Sequence, residues 1–227
     1  MEPGRRISMP YRPALQLAST NGGKLREFSA AAAEMGLKIE PVPGLRDLPA
    51  CIEDGETFEA NARKKALHYA VFAPGLVFAD DSGLSVDALG GAPGVYSARF
   101  SGFGATDKAN NQKLLDELAK MPETWRVPIA APPFSGFCAH YICVIALAQG
   151  DRILAVADGR VDGMIIQTPQ GNGGFGYDPY FFYPPWRKTF AQVTARRKFT
   201  VSHRGVAFRK FLDELGAIGK KLPVAAP

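Results

Sequence analysis

The chain is short of the residues that mark disulfide and zinc scaffolds. It has three cysteines, Cys51, Cys138 and Cys143, and three histidines in 227 residues. Cysteines so few and so spaced make neither a disulfide framework nor a zinc ribbon. They are expected as buried small hydrophobes in a reducing compartment. Long apolar runs are also missing. The longest, Tyr141 to Ala148, is far too short to cross a bilayer. Arg5 and Arg6 are not followed by the apolar segment of a secretory signal. There is no run of five basic residues, no internal repeat and no low-complexity tract. These shortages argue against a membrane partner and give the cytoplasm as the expected location.

What is present suits a globular enzyme. Apolar residues make up 46% and charged residues 22%. That is enough for one large domain or two small lobes. The formal charge of +5 favours anionic ligands. With no basic stripe and no aromatic RNA-binding motif, no nucleic-acid partner is expected.

The order of elements points to a mixed α/β fold. Ala14 to Ala18 predicts a strand, Ser19 to Lys24 a Gly-rich turn, and Leu25 to Met35 a helix with Leu25, Phe28 and Ala32 on one face. Leu37 to Val42 predicts a second strand. Thr57 is placed to cap a helix running to Phe72. Leu76 to Ala79 is a short apolar strand ending at Asp80 and Asp81, and Leu84 to Gly104 reads as irregular. Thr106 caps a helix to about Lys120. Pro122 to Phe137, with four prolines, reads as an exposed loop. The β-branched runs Cys138 to Gln149 and Ile153 to Ile166 meet at Gly150-Asp151 and predict a hairpin. A helix from Ser202 to Gly216 closes the chain. The expected organisation is a flexible arm over 1–13, one two-lobed domain with a cleft over 14–217, and a tail over 218–227.

Four segments carry chemistry. The most informative is Phe78-Ala79-Asp80-Asp81-Ser82-Gly83-Leu84. Adjacent carboxylates at a strand end raise each other's pKa unless paired or bound to a hard metal. The same string also makes a good turn. Glu53 is the loop acid placed to complete a metal site, whereas Asp54, Glu56 and Glu59 read as solvated or dipole-stabilising acids. Ser19-Thr20-Asn21-Gly22-Gly23-Lys24 has the physics of a phosphate loop: small residues, backbone N–H groups and a helix start. It equally suits an ordinary capped helix, although a lysine in the first turn opposes the helix dipole. Gly171 to Asp178 is a glycine-dense loop whose Phe175 or Tyr177 suits stacking on a flat ligand and whose Asp178 suits a ring N–H. Lys198 and Ser202-His203-Arg204-Gly205 place donors at the start of the last helix.

Together these strings resemble the inosine/xanthosine triphosphate pyrophosphatases, the Ham1 or RdgB-type family, over Ala14 to Leu215. The matching strings are ASTNGGK, FADDSGLSVDALGGAPGVYSARFSG, GNGGFGYDP and SHRG. The resemblance implies Mg²⁺-dependent hydrolysis of non-standard purine nucleoside triphosphates (dITP, ITP, XTP, dXTP) to monophosphate and pyrophosphate, with Mn²⁺ as a substitute. It implies a long central sheet and a homodimer. It places Ser19, Thr20, Asn21, Gly22, Gly23 and Lys24 on the triphosphate. Glu53 and Asp81 fall on Mg²⁺, with Asp81 as base assisted by Asp80. Lys65 faces phosphate and Ser82 contacts substrate. Phe175, Gly176, Tyr177, Asp178, Lys198, His203 and Arg204 form the nucleobase pocket. The chain departs from the family pattern in its first residues, in the proline-rich loop Pro128 to Phe137, and in Ala195-Arg196-Arg197, where acids are common. A nucleotide sensor without hydrolysis and a Maf-type pyrophosphatase of modified or methylated nucleotides are the competing expectations.

Overall fold

The computed structural model describes residues 15–128 and 135–221. The expected arm over 1–13, the middle of the proline-rich loop and the last six residues lie outside the described residues. The chain divides into two compact units, one of residues 1–81, 144–159 and 204–227, the other of 82–143 and 160–203.

In the first unit, β1 (Leu15–Leu17) pairs in parallel with both β2 (Ile39–Pro41) and the start of β3 (Leu76–Val86). The parallel connections are helical: α1 (Gly22–Glu34) and α2 (Phe58–Ala70). Asn21 caps α1, accepting from the Gly23 and Lys24 N–H groups, and Thr57 caps α2. Strand alternation sends successive β3 side chains to opposite faces. Val77 and Ala79 join Ala18, Val42, Ala62, Ala66 and Tyr69 in one buried cluster. Phe78 faces the other way and meets Phe28 of α1 at 5.7 Å and Phe211 at 5.3 Å. Phe211 and Phe208 come from α5 (His203–Lys221). Burying each such ring is worth about 1.5–3 kcal/mol, so these clusters fix both faces of β3 firmly.

In the second unit, α3 (Asp107–Ala119) is capped by Thr106. Strands β4 (Val127–Pro128), β5 (Ser135–Gln149), β6 (Arg152–Ile165), β7 (Phe181–Tyr183) and β8 (Lys188–Thr189) follow, then α4 (Ala195–Val201); the end of β5 and the start of β6, within 144–159, belong to the first unit. Leu84, Val86, Leu114, Phe137, Tyr141, Phe181 and Phe190 belong to its core. Among the described residues the strands form an eight-stranded mixed sheet in the order β2-β1-β3-β5-β6-β7-β8, with β4 beside β5. It is parallel along β2-β1-β3 and antiparallel along β6-β7-β8.

The structure corrects several sequence expectations. β3 does not stop at Ala79. It runs to Val86, because Leu84 and Val86 are buried core residues that keep the strand worthwhile. Asp80 and Asp81 therefore lie within a strand, not beyond its end. β5 begins at Ser135, so the last part of the expected loop is strand. Ser202 closes α4, a helix the sequence reading did not expect, and directly precedes α5. α5 runs through position 218 to Lys221.

Candidate active site

Four charged side chains converge in the first unit. Asp80 is fully buried, and its carboxylate meets Lys24 Nζ at 2.9 Å and Arg204 Nε at 3.8 Å. Arg204 Nη1 donates to Glu27 Oε2 at 3.1 Å. This is the face of β3 that carries Phe78, so α1 supplies Lys24 and Glu27 while α5 supplies Arg204. The pairing answers why a lysine occupies the first turn of α1 against the helix dipole: Asp80 attracts it more strongly than the dipole repels it. Burial alone would raise the Asp80 carboxyl, but Lys24, Arg204 and Lys65 outweigh it and hold the group below the usual carboxylate range.

Asp81 points to the opposite face, where α2 lies. Asn61 Nδ2 donates to its Oδ2 at 3.0 Å. Burial raises the Asp81 pKa and nearby Glu53 adds to the rise, while Lys65, Lys24 and Asn61 only moderate it. Lys65, one turn after Asn61, donates to Glu53 Oε2 at 2.8 Å. Burial disfavours the Lys65 charge, yet Glu53, Asp80 and Asp81 raise its pKa overall. The loop acids behave differently: Asp54 pairs with exposed Lys64 at 2.5 Å, and Glu59 with Arg63 at 2.7 Å. Ahead of α1, Ser19 Oγ accepts from the Asn21 N–H at 3.2 Å. Thr20, Asn21 and Gly22 are exposed at the helix start, and Gly23 is buried.

The donor set fits a hard divalent cation shared with phosphate. Among the described residues, no group of three or more His, Cys, Asp or Glu is placed to hold a metal by itself. Mg²⁺ needs no such cage, since one or two carboxylates with water and phosphate oxygens satisfy it. Asp81 and Glu53 feel each other's charge, and a cation there would relieve the raised Asp81 pKa.

The second unit gathers the other predicted residues. Asp178 is almost fully buried, taking Lys198 Nζ at 2.6 Å and the Phe175 N–H at 3.0 Å. Lys198 also lies 4.9 Å from the Phe175 ring centre. His203 stacks on Tyr141 at 4.6 Å. Gly176, at φ +62, is gripped from α3: its N–H donates to Asp107 at 2.7 Å, and Asn111 donates to its carbonyl at 2.9 Å. Tyr177 is buried, with its hydroxyl donating to Ser97 O at 2.8 Å, and burial raises its pKa. Its ring serves the core, and of the two aromatics expected to stack only Phe175 is partly exposed. Ser82, also partly exposed, begins this unit's stretch of β3.

With these two sets in view, the comparisons decide the family. A family model described as "Ham1 family" matches residues 15–214. The chain belongs to the Ham1 family. A dITP/XTP pyrophosphatase from Leuconostoc mesenteroides subsp. mesenteroides is 44% identical over 214 residues, covering 92% of this chain and 96% of that relative. One from Geobacter sulfurreducens is 43% identical over 202 residues, covering 89% and 96%. The solved HAM1 protein from Coxiella burnetii superposes with a TM-score of 0.74 at 34% identity, over 92% of this chain and 99% of that one. The Staphylococcus aureus Ham1 structure gives 0.73 at 35% identity, over 91% and 99%. The Ham1 fold is thus the fold of this chain.

Two site residues escaped the sequence reading, Glu27 and Asn61. Both left a signal. Each sits beside a buried apolar position of its helix, Phe28 and Ala62, on a stripe that ought to be apolar. A polar residue on a buried helical stripe needs a partner, and that alone marks it for scrutiny.

Proposed function

We propose that this Ham1-family chain hydrolyses non-standard purine nucleoside triphosphates, dITP and XTP with their ITP and dXTP counterparts, to the monophosphate and pyrophosphate. Mg²⁺ is the proposed cofactor, with Mn²⁺ able to replace it. The observation that carries this reading is the convergence of Lys24, Asp80, Asp81, Lys65 and Glu53 in one unit. The curated relatives named dITP/XTP pyrophosphatase support it.

The division of labour follows from the environments. Glu53 and Asp81 would hold the metal, which when bound neutralises triphosphate charge and lowers the pKa of coordinated water. Asp81 is the base: its carboxylate, oriented by the Asn61 amide, takes the proton of the water attacking the α-phosphorus. Lys24 and Lys65 offset the charge gathering on the leaving pyrophosphate. Asp80 does not need to touch substrate. It fixes the Lys24 ammonium at 2.9 Å. Ser19 to Gly23 offer small side chains and backbone to the phosphates, and Ser82 completes the substrate contacts.

The base is assigned to the second unit's set. Phe175 supplies a ring face, Gly176 close backbone approach, and Asp178, Lys198 and His203 polar recognition, with Tyr177 anchoring the loop through Ser97. Arg204, the next residue in the chain, is also assigned to recognition, and its Nε lies 3.8 Å from Asp80 in the first unit. A 6-oxopurine matches donors that an adenine amine would leave unpaired, and such mismatches are worth orders of magnitude. A homodimer in the cytoplasm completes the reading. Among the described residues, no helix is long and apolar enough to cross a membrane.

The test is a Mg²⁺-dependent panel of dITP, ITP, XTP, dXTP, the four common triphosphates and methylated or modified pyrimidine triphosphates, with pyrophosphate and orthophosphate detected separately. Pyrophosphate release from dITP and XTP far above that from ATP is expected. Preference for the modified pyrimidines would transfer the chain to Maf-type chemistry, and binding without release would make it a sensor.

A further inference from the structure

The loop that carries Glu53 and the strand that carries Asp81 meet at one side chain, Asn61. It is fully buried in the first turn of α2. Its Nδ2 donates to Asp81 Oδ2 at 3.0 Å and to Gly55 O at 3.3 Å. Its Oδ1 accepts from the Gly55 N–H at 2.8 Å. Its own N–H is used by the helix start, donating to Thr57 O at 3.1 Å. The carboxamide therefore grips both polar groups of one loop residue while fixing the rotation of the Asp81 carboxylate.

The two nearest alternatives do not fit this arrangement. An aspartate offers no donor to Asp81 or Gly55 O and would set a second negative charge against Asp81. A glutamine is one methylene too long for a fully buried site. Gly55 is constrained from the other side: a Cβ there would stand 2.7 Å from Asn61 Oδ1 and 2.9 Å from the Ala60 Cβ. One turn on, Lys65 holds the Glu53 side chain at 2.8 Å. α2 thus fastens the loop twice, by backbone through Asn61 and by side chain through Lys65.

We infer that Asn61 is a positioning residue that sets the distance and orientation between Asp81 and Glu53, and so determines the affinity of the site for its divalent cation. The inference rests on the assignment of Asp81 and Glu53 proposed above. Residues that orient metal-bound carboxylates act in this manner in other proteins, and losing one costs about 10–100-fold in metal affinity or activity.

The experiment compares the full chain with Asn61→Leu, which keeps the branching of the side chain and deletes its hydrogen bonds, and with Gly55→Ala. Mn²⁺ affinity is read by the electron paramagnetic resonance of free Mn²⁺, independently of turnover. kcat, KM for dITP and Tm are measured in parallel. The expected result is Mn²⁺ affinity weaker by about 10-fold or more, kcat reduced similarly at saturating dITP, and KM nearly unchanged. Asn61→Leu with wild-type Mn²⁺ affinity overturns the inference, even if its Tm falls, because that is the signature of a purely structural asparagine. If Asn61→Leu does not fold, Gly55→Ala decides by the same criteria. If the wild type binds Mn²⁺ but leaves dITP intact, the substrate reading fails, while the Mn²⁺ comparison still judges Asn61.

Discussion

Asp80 and Asp81 are neighbours in sequence and opposites in structure. Asp80 turns toward α1 and α5, where Lys24 and Arg204 compensate its charge and hold its pKa down. Asp81 turns toward α2, where burial dominates and its pKa goes up. The difference comes from the two-residue period of a strand, which hands adjacent side chains to different helices. One carboxylate is thereby compensated and kept ionised, and the other keeps a raised pKa. A pair of identical residues has acquired two roles without any difference in their own chemistry.

The comparison breaks most sharply at Asp81. Asp81→Asn is expected to lower kcat by about 10²–10⁴-fold, the range for losing a general base, with the fold intact. Steady-state kinetics at saturating Mg²⁺ with circular dichroism on the same sample checks it. A variant retaining near-normal kcat removes Asp81 from the chemistry. The reverse pattern is expected for Asp80→Ala. It leaves Lys24 and Arg204 without their shared buried anion, which should cost about 3–5 kcal/mol of stability, read as a lower denaturation midpoint in urea.

The pH dependence of the metal-free protein should show the same opposition. Asp80 has its folded pKa depressed, so it contributes stability above its unfolded pKa, about 3.9, and that contribution fades as pH falls through the lower folded value. Asp81 has its folded pKa raised, so its ionisation on the way to neutral pH costs stability. Asp81→Asn should therefore raise the neutral-pH Tm of the metal-free protein, and Asp80→Asn should flatten its acid limb. Equal Tm shifts of one sign in both variants would erase the distinction. The smallest effect is reserved for the outer side of α2. Glu59→Ala removes an exposed pair with Arg63 and should change stability by less than about 0.5 kcal/mol in the same urea titration, with kcat unmoved.

Much of this molecule was legible in its residues. Thr57 and Thr106 cap helices as the sequence predicts, because a hydroxyl before an amphipathic run satisfies orphan helix donors. The Gly150 hairpin and the strand–turn–helix unit at Ser19 to Lys24 are local in origin and equally readable. The true length of β3 was not, because Asp80, Asp81, Ser82 and Gly83 look like a turn when considered alone. Only burial of Leu84 and Val86 in a core gathered from distant segments carries the strand onward. Arg204 shows the same limit. Its place in the SHRG string suggested a base-recognition donor, and the fold adds a partner, Glu27, remote in sequence.

The sequence by itself determined the family, the reaction class it points to and the inventory of charged groups, since those depend on residue type and short-range order. Tertiary structure alone decided which of two adjacent aspartates is neutralised and which is left poised, and that one asparagine joins loop to strand. The physical reason is that pairing and desolvation are set by whatever the fold brings within a few ångströms: both aspartates feel Lys24 and Lys65, but Arg204 acts on Asp80 while Asn61 and Glu53 act on Asp81.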